Sequence, residues 1–461
     1  MRELVIVLSV ALVARLFAAW LFRDAQSPVF DERYYTVAAE SLTRGLGFPD
    51  AFRPPLYSLF MAGVFHFTFD LDVVRAVQIL LSLVPVVFVF DVCRRRYGLR
   101  AALYSGLACA LCPALAHFSH FLWSETLAVV LVSAFFWLAD GFDRTDRPAW
   151  LFAAGLALGL TALTREIWLY FGVCTAVWVL MRARARGDVR SGALPAALVV
   201  VGMAFSILPW TVRNLVELEK FVLISENHWR PIFDGNAYPK DHWYTGNRSK
   251  AERASLNALL REMPREDAQA LLRDVAFQRI ADDQPWWLAK KLIRTTSTMY
   301  TATTHELKAI ARGWYVGPEA RTRVLIATSV VGFFVTMIPG VAALWLVPGG
   351  WYKGLVVLGI LFVSGTHAIA IAIPRYLVPV LPLYMLGVGP LLVAGLGRDS
   401  TGLGAPASQR LRRLGALATL AVFVLVPLPR TLDGVELWKR AGEPRPPVAD
   451  LEPMRVNPTT Q

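Results

Sequence analysis

The chain has 461 residues, of which 55% are hydrophobic and only 18% charged, with a mean hydropathy of +0.46. This composition excludes an ordinary soluble domain. The apolar runs are continuous rather than alternating, which excludes a β-barrel and leaves an all-α, multi-pass membrane protein. A formal net charge of +12 could suggest nucleic acid. The arginines, however, lie in short loops between apolar runs, so the excess is a topology signal and no nucleic-acid partner is expected.

The first span is expected over Leu4 to Phe22, with Arg15 its one internal charge. No small-residue cleavage site follows, so it reads as a retained span. The clusters Arg94-Arg95-Arg96 with Arg100, Arg144 with Arg147, Arg182-Arg184-Arg186-Arg190, and Arg398 with Arg410, Arg412 and Arg413 are expected on the cytoplasmic side. The first span then delivers Asp31-Glu32-Arg33-Tyr34-Tyr35 to the outside, in a first outer loop over 23–72. Pro55 to Phe69 is short for a crossing, which takes about 20 residues, and is placed flat in the outer interface. Val73 to Val92 is the second span. Ala101 to Ala116 crosses outward, and Thr126 to Ala139 returns. Trp150 to Leu180 crosses twice about a turn at Thr164-Arg165-Glu166, and Leu194 to Trp210 crosses outward. These form an N-terminal module over 1–210. A polar external domain over 211–321 follows. C-terminal spans over 322–428 comprise Val324 to Val347, Gly354 to Ile373, Leu377 to Leu396 and about Leu414 to Leu428. About eleven helices result, with an external, disordered tail over 429–461. Cys109 and Cys112 have redox-motif spacing but lie in an apolar helix and read as packing residues.

This reckoning gathers Asp31, Glu32, Arg33, Arg53, Glu125, Arg165, Glu166, Arg213, Asn214, Asp234, His367, Arg375 and Tyr376 at one side of the membrane. Ionisable groups at span ends are costly and are functional candidates for that reason. A solvated helix start, with Asp31 as its cap, is the plainer reading of the Asp31-Glu32 pair alone. Carboxylates beside arginines at an outer face suit group transfer from a phosphate-linked lipid: a carboxylate takes the proton of an acceptor hydroxyl, and guanidinium groups hold phosphate. No Walker loop or dinucleotide fingerprint is present, so no nucleotide cofactor is expected. His117 and His120 with Glu125 could be read as metal ligands or as an interface histidine pair; no metal is assigned.

The motif Asp31-Glu32-Arg33-Tyr34, followed by Arg53-Pro54-Pro55-Leu56-Tyr57, resembles the first outer loop of C-type glycosyltransferases. The resemblance is to the bacterial protein-mannosyltransferase-like group and the lipid A aminoarabinose transferases. Gly155 to Arg165, Leu208-Pro-Trp-Thr-Val-Arg-Asn214, Asp234-Gly-Asn-Ala-Tyr-Pro239 and Pro374 to Pro382 agree in order. Where the aminoarabinose transferase pattern carries lysine before Pro-Pro, this chain has Arg53, and the two are not interchangeable. The resemblance implies a sugar taken from a polyprenyl-phosphate carrier on the outer face of a bacterial inner membrane, with inversion, onto a lipid, glycan or protein acceptor. By position it implies Asp31 as general base, Glu32 as its neighbour and Glu125 as a second acidic residue. Arg53, Arg375, Arg213, Tyr34 and Tyr376 would bind donor phosphate and lipid. The rival readings are a secondary transporter, which usually shows two related halves, and a polysaccharide-export subunit. A transferase requires Asp31, Glu125 and Arg375 to converge.

Overall fold

The computed structural model describes residues 1–23, 31–236, 247–302, 317–396 and 406–428, with Leu307, Ile310, Trp438 and Lys439. The tail expected beyond residue 428 otherwise lies outside the described residues. All elements among these residues are helical. The N-terminal half runs α1 Arg2–Phe22, α2 Asp31–Thr43, α3 Leu56–Phe65, α4 Leu71–Leu81, α5 Val84–Tyr97, α6 Leu99–Leu111, α7 Pro113–Phe118, α8 Glu125–Thr145, α9 Ala149–Ala162, α10 Phe171–Ala185 and α11 Ala193–Glu217. Next come α12 Trp229–Asn236, α13 Asn247–Glu262, α14 Arg265–Asp282 and α15 Trp287–Met299. The chain then continues through α16 Glu319–Leu346, α17 Trp351–Ile369, α18 Leu381–Leu396 and α19 Pro406–Leu425.

Among the described residues, eight helical stretches are long and apolar enough to cross a membrane, while α3, α6 and α9 are shorter apolar helices. The multi-pass all-α expectation holds; length and composition support eight crossings and leave the count of eleven unestablished. The second span is Leu71–Tyr97, bent at Ser82-Leu83 between α4 and α5, and longer than the Val73 to Val92 expected. The segment expected to lie flat folds as the ten-residue α3, about 15 Å long at 1.5 Å per residue and too short to cross.

Arg15 explains how a charge is accommodated inside the first span. It is 1% exposed, and its guanidinium donates to Ser82 Oγ at 3.0 Å, Ala11 O at 3.1 Å and Ala110 O at 2.7 Å. Ala110 is in the last turn of α6, where the extended Cys112 and then Pro113 interrupt the helical ladder and free its carbonyl. Ser82 marks the bend between α4 and α5. Arg15 thus serves two helix breaks in an apolar interior. Replacing Arg15 with Met is expected to cost about 1–3 kcal/mol for each buried group left without a partner. Thermal unfolding in detergent should show this as a lowered midpoint; an unchanged midpoint would remove the bracing role.

Helices α9 and α11 cross closely. Gly155 and Gly202 face each other there, and a side chain at either would run into the Val199 or Phe152 carbonyl of the other helix. Small residues of this kind let membrane helices approach without a hydrophobic driving force. Ser206 Oγ adds a 3.1 Å bond to Leu156 O. The close crossing fixes where α9 ends and therefore where Arg165 emerges.

Two polar layers lie at opposite ends of α8. Glu125 begins the helix, whereas Asp140 and Asp143 lie near its end, about 22–27 Å away at 1.5 Å per residue. At the far end Arg96 pairs with Asp140 and, at 2.9 Å, with Asp143; Arg182 meets Asp143 at 3.1 Å and Asp146 at 2.7 Å. These are residues of the arginine clusters expected to be cytoplasmic.

Candidate active site

The other layer gathers residues far apart in sequence. Asp31, on the first turn of α2, accepts from Arg53 Nη2 through Oδ1 at 2.8 Å and pairs with Arg375 Nη2 through Oδ2 at 2.9 Å. Glu125, 1% exposed, is paired by Arg165 and lies 3.5 Å from Arg375 Nε through the same carboxylate oxygen, Oε1. Arg375 therefore links the two carboxylates, and Asp31, Glu125 and Arg375 converge. Three guanidinium groups surround two carboxylates, leaving one positive charge in excess.

Each guanidinium is backed by aromatic rings. Arg53 lies 5.4 Å from the Tyr34 centroid and 5.9 Å from Tyr35; Arg375 lies 5.1 Å from Trp123 and 5.4 Å from Tyr376; Arg165 lies 5.0 Å from Tyr376. Such faces favour a desolvated cation. Burial opposes the charge on Arg53, but the carboxylate of Asp31 outweighs it and holds the Arg53 pKa above its ordinary value. Burial, reinforced by Asp50, raises the Tyr34 phenol. Tyr34 accordingly remains a donor and gives Asp50 Oδ1 a 2.6 Å bond. The Nε atoms of Arg53, Arg165 and Arg375 are buried and have no hydrogen-bond partner among the described residues; the 3.5 Å contact of Arg375 Nε with Glu125 lacks hydrogen-bond geometry.

The surrounding elements hold these groups in place. Glu32 is buried and accepts from the Leu122 amide at 3.0 Å, joining α2 to the turn that carries Trp123 and Glu125. Gln78 orders the same turn, donating to Phe121 O at 2.6 Å and Ser119 O at 3.0 Å while accepting from Tyr57 at 2.7 Å. Asp50 accepts from Tyr34, from Phe52 N at 3.0 Å and from Arg265 at 3.1 Å, which shapes the loop before Arg53. Arg213 does not meet Asp31 or Glu125. It supports that same loop through a 2.8 Å bond to Phe48 O, pairs with Glu217 at 2.6 Å and stacks 4.9 Å from Trp210. His117 and His120 both pack on Phe22, with centroids at 5.5 and 5.8 Å. Among the described residues no group of three or more His, Cys, Asp or Glu side chains is placed to hold a metal ion.

Two motifs have structural work that their sequences do not announce. On one face of α11, Trp210, Thr211 and Asn214 donate to the carbonyls of Ile224, Leu223 and Val222 at 2.8, 2.9 and 2.9 Å, pinning an extended segment. At the end of α12, Gly235 lies so close to Ala370 that a side chain would strike its carbonyl. Lys291 donates to both Gly235 O and Ala370 O, at 2.8 and 3.1 Å. Asn236 Nδ2 bonds Ile369 O at 3.0 Å. This clasp fixes the turn that leads into Pro374-Arg375.

Gln78, Asp50, Trp123 and Lys291 were not legible as site-building residues. A polar residue in an apolar run, as Gln78 is, was the available signal. Arg165 stands among the outer-face candidates and closes a matched motif, but nothing in the sequence pairs it with Glu125.

The chain has the C-type glycosyltransferase fold. Residues 52–212 match the family described as dolichyl-phosphate-mannose-protein mannosyltransferase. The structure is similar to that of ArnT from Cupriavidus metallidurans bound to undecaprenyl phosphate, with a TM-score of 0.53, 16% identity and coverage of 95% of this chain and 74% of that one. The apo ArnT structure gives 0.48 at 17% identity, covering 95% and 72%. The Archaeoglobus fulgidus oligosaccharyltransferase AglB, with an inhibitory peptide and a dolichol-phosphate, also gives 0.48, at 14% identity over 97% of this chain and 61% of that one. No curated protein matches by sequence. The motif-based resemblance to C-type glycosyltransferases holds at the level of the fold.

Proposed function

We propose that the chain transfers a sugar from a polyprenyl-phosphate carrier to an acceptor at the outer face of the bacterial cytoplasmic membrane, with inversion and with Asp31 as general base. One observation carries this reading: Arg53, Arg165 and Arg375 surround Asp31 and Glu125 with one positive charge in excess, and each keeps a buried Nε without a hydrogen-bond partner. Buried donors of this kind are complementary to an anion, and a guanidinium suits phosphate oxygens. The mannosyltransferase family match over 52–212 and the undecaprenyl phosphate bound to ArnT support a lipid phosphate as that anion.

The mechanism follows from the pairing. With both oxygens held by arginines, Asp31 is a poor base. A donor phosphate shares the guanidinium donors of Arg53 and Arg375, lowers their hold on Asp31 and raises its affinity for a proton. The acceptor oxygen then forms its bond to the anomeric carbon as the bond from that carbon to the phosphate oxygen breaks. The hydroxyl proton goes to Asp31, and the electron pair leaves with the phosphate, whose growing charge the arginines stabilise. Glu125 orients Arg165 and Arg375. The scheme routes no step through a cofactor, and the donor sugar class, pentose or hexose, is left to the assay. The arginine layer at the far end of α8 supports an outward-facing site, and the separation into two layers favours a transferase over a transporter's through-path.

The test is the purified full-length protein in lipid nanodiscs with undecaprenyl-phosphate pentoses and hexoses, each paired with cell-envelope lipid, glycan and protein fractions. Released undecaprenyl phosphate and a glycosylated product of inverted configuration are expected from at least one donor. Retained configuration would reject the single displacement. No transfer from any donor would reject the function.

A further inference from the structure

The segment Ser225 to His228 packs beside the arginine layer without belonging to it. It is held from three sides. Helix α11 pins the three residues before it through Trp210, Thr211 and Asn214. The Glu226 amide donates to Ala51 O at 2.8 Å, two residues before Arg53. Ser225 Oγ and His228 Nδ1 each take a different oxygen of Glu166, at 2.5 and 3.0 Å. Glu166 directly follows Arg165. The segment therefore closes against two of the three elements that carry site arginines, those of Arg53 and Arg165.

Within this rigid segment the amide oxygen of Asn227 is buried and has no hydrogen-bond partner. An orphaned buried acceptor is costly, and such a cost in a pinned segment marks a place where a ligand donor is awaited. Asn227 stands between Ser225 and His228, the two residues that hold the Glu166 carboxylate, so a second acceptor belongs to the same segment contact. A phosphate would be repelled here, whereas hydroxyl groups would be welcomed.

We propose that Asn227 and Glu166 form a carbohydrate-hydroxyl subsite beside the arginine layer, with Asn227 Oδ1 and the Glu166 carboxylate accepting from ring hydroxyls of a sugar. The proposal rests on the glycosyl-transfer reading and deepens it: the arginines take the phosphate, and this segment takes the sugar. Half-exposed His228 and buried Ser225 hold Glu166 in position, so Glu166 reaches the ligand with its orientation already set. The sugar ring can come from the donor or from a glycan acceptor, and both present the same chemistry.

The test measures binding to the full-length protein in nanodiscs with three probes: undecaprenyl phosphate, undecaprenyl phosphate carrying a pentose or a hexose, and millimolar methyl pentosides and hexosides. Asn227→Ala is expected to weaken sugar-bearing probes by about 3–10-fold, and Glu166→Gln by about 10–100-fold, as for hydrogen bonds to a neutral and a charged partner. Affinity for bare undecaprenyl phosphate should be unchanged in both. The thermal midpoint of Asn227→Ala should be unchanged or higher, because the substitution removes an orphaned acceptor. A methyl glycoside that competes with the sugar-bearing donor places the donor ring in the subsite. One that binds together with that donor, and still depends on Asn227, places the acceptor ring there. Equal affinities of wild type and both variants for every sugar-bearing probe would overturn the subsite. So would a parallel loss of bare-carrier binding and thermal stability. Failure of wild type to bind undecaprenyl phosphate counts against the glycosyl-transfer reading instead, and the methyl glycosides still decide the subsite.

Discussion

Asp31→Asn is expected to slow transfer by about 10²–10⁴-fold, the range for loss of a general base. The change keeps size and planarity but removes the proton acceptor. The structure sharpens what else must be measured. Asp31 has Arg53 on one oxygen and Arg375 on the other. An amide can face only one of them with its oxygen and turns its NH₂ toward the second. Some loss of order at the arginines is therefore built into the substitution. Binding of bare undecaprenyl phosphate separates the two effects. A base is needed only when the acceptor reacts, so carrier affinity should stay close to wild type or rise, because the arginines are freer. Turnover near the wild-type rate would reject the catalytic role and return Asp31 to an ion pair at a helix start, where asparagine serves about as well. A large fall in both turnover and carrier affinity would assign Asp31 to positioning the arginines.

Arg375→Ala carries the second large effect. Arg375 touches Asp31 at 2.9 Å, reaches to 3.5 Å of Glu125 and lies over Trp123 and Tyr376. Its removal takes away a donor that meets leaving-group charge, typically about 10²–10³-fold in rate. It also exposes a buried carboxylate pair to reduced compensation. Breaking a buried ion pair costs about 3–5 kcal/mol, and the lower end is expected because Asp31 keeps Arg53 and Glu125 keeps Arg165. Weaker binding of undecaprenyl phosphate, slower transfer and a lowered thermal midpoint should appear together. Arg375→Lys should recover stability more than rate, since an ammonium offers one compact charge where the guanidinium contacts two carboxylates and, in the proposed function, a phosphate as well. An Arg375→Ala protein with wild-type carrier affinity and turnover would remove the residue from the site.

Much of the site was legible because its residue types are conspicuous in an apolar chain. Asp31, Glu125, Arg53 and Arg375 stand at the ends of apolar runs, and charge bias put all four on one side. Arg213 shows where that reasoning runs out. It shares the side and the residue type but supports the Phe48 carbonyl and pairs with Glu217. Glu32 is adjacent to Asp31 in sequence yet accepts from the Leu122 amide. Successive residues of a helix point about 100° apart, so a pair of neighbouring acids rarely serves one site.

By itself, the sequence determined that this protein is an all-α membrane chain, which side of each helix end carries arginine, and which motifs resemble a C-type glycosyltransferase. Those properties are local, because hydropathy, charge bias and short motifs act over one helix and its flanks. Only the tertiary structure decided that Arg375 bridges Asp31 and Glu125, that Arg15 serves two helix breaks, and that Asn227 keeps an orphaned acceptor in the segment that holds Glu166. Each of these depends on where helices cross. The crossings are set by close contacts such as Gly155 against Val199 and Gly235 against Ala370, in which the partner is chosen by shape across long stretches of chain. A pattern read along one helix carries no record of the helix that will lie against it.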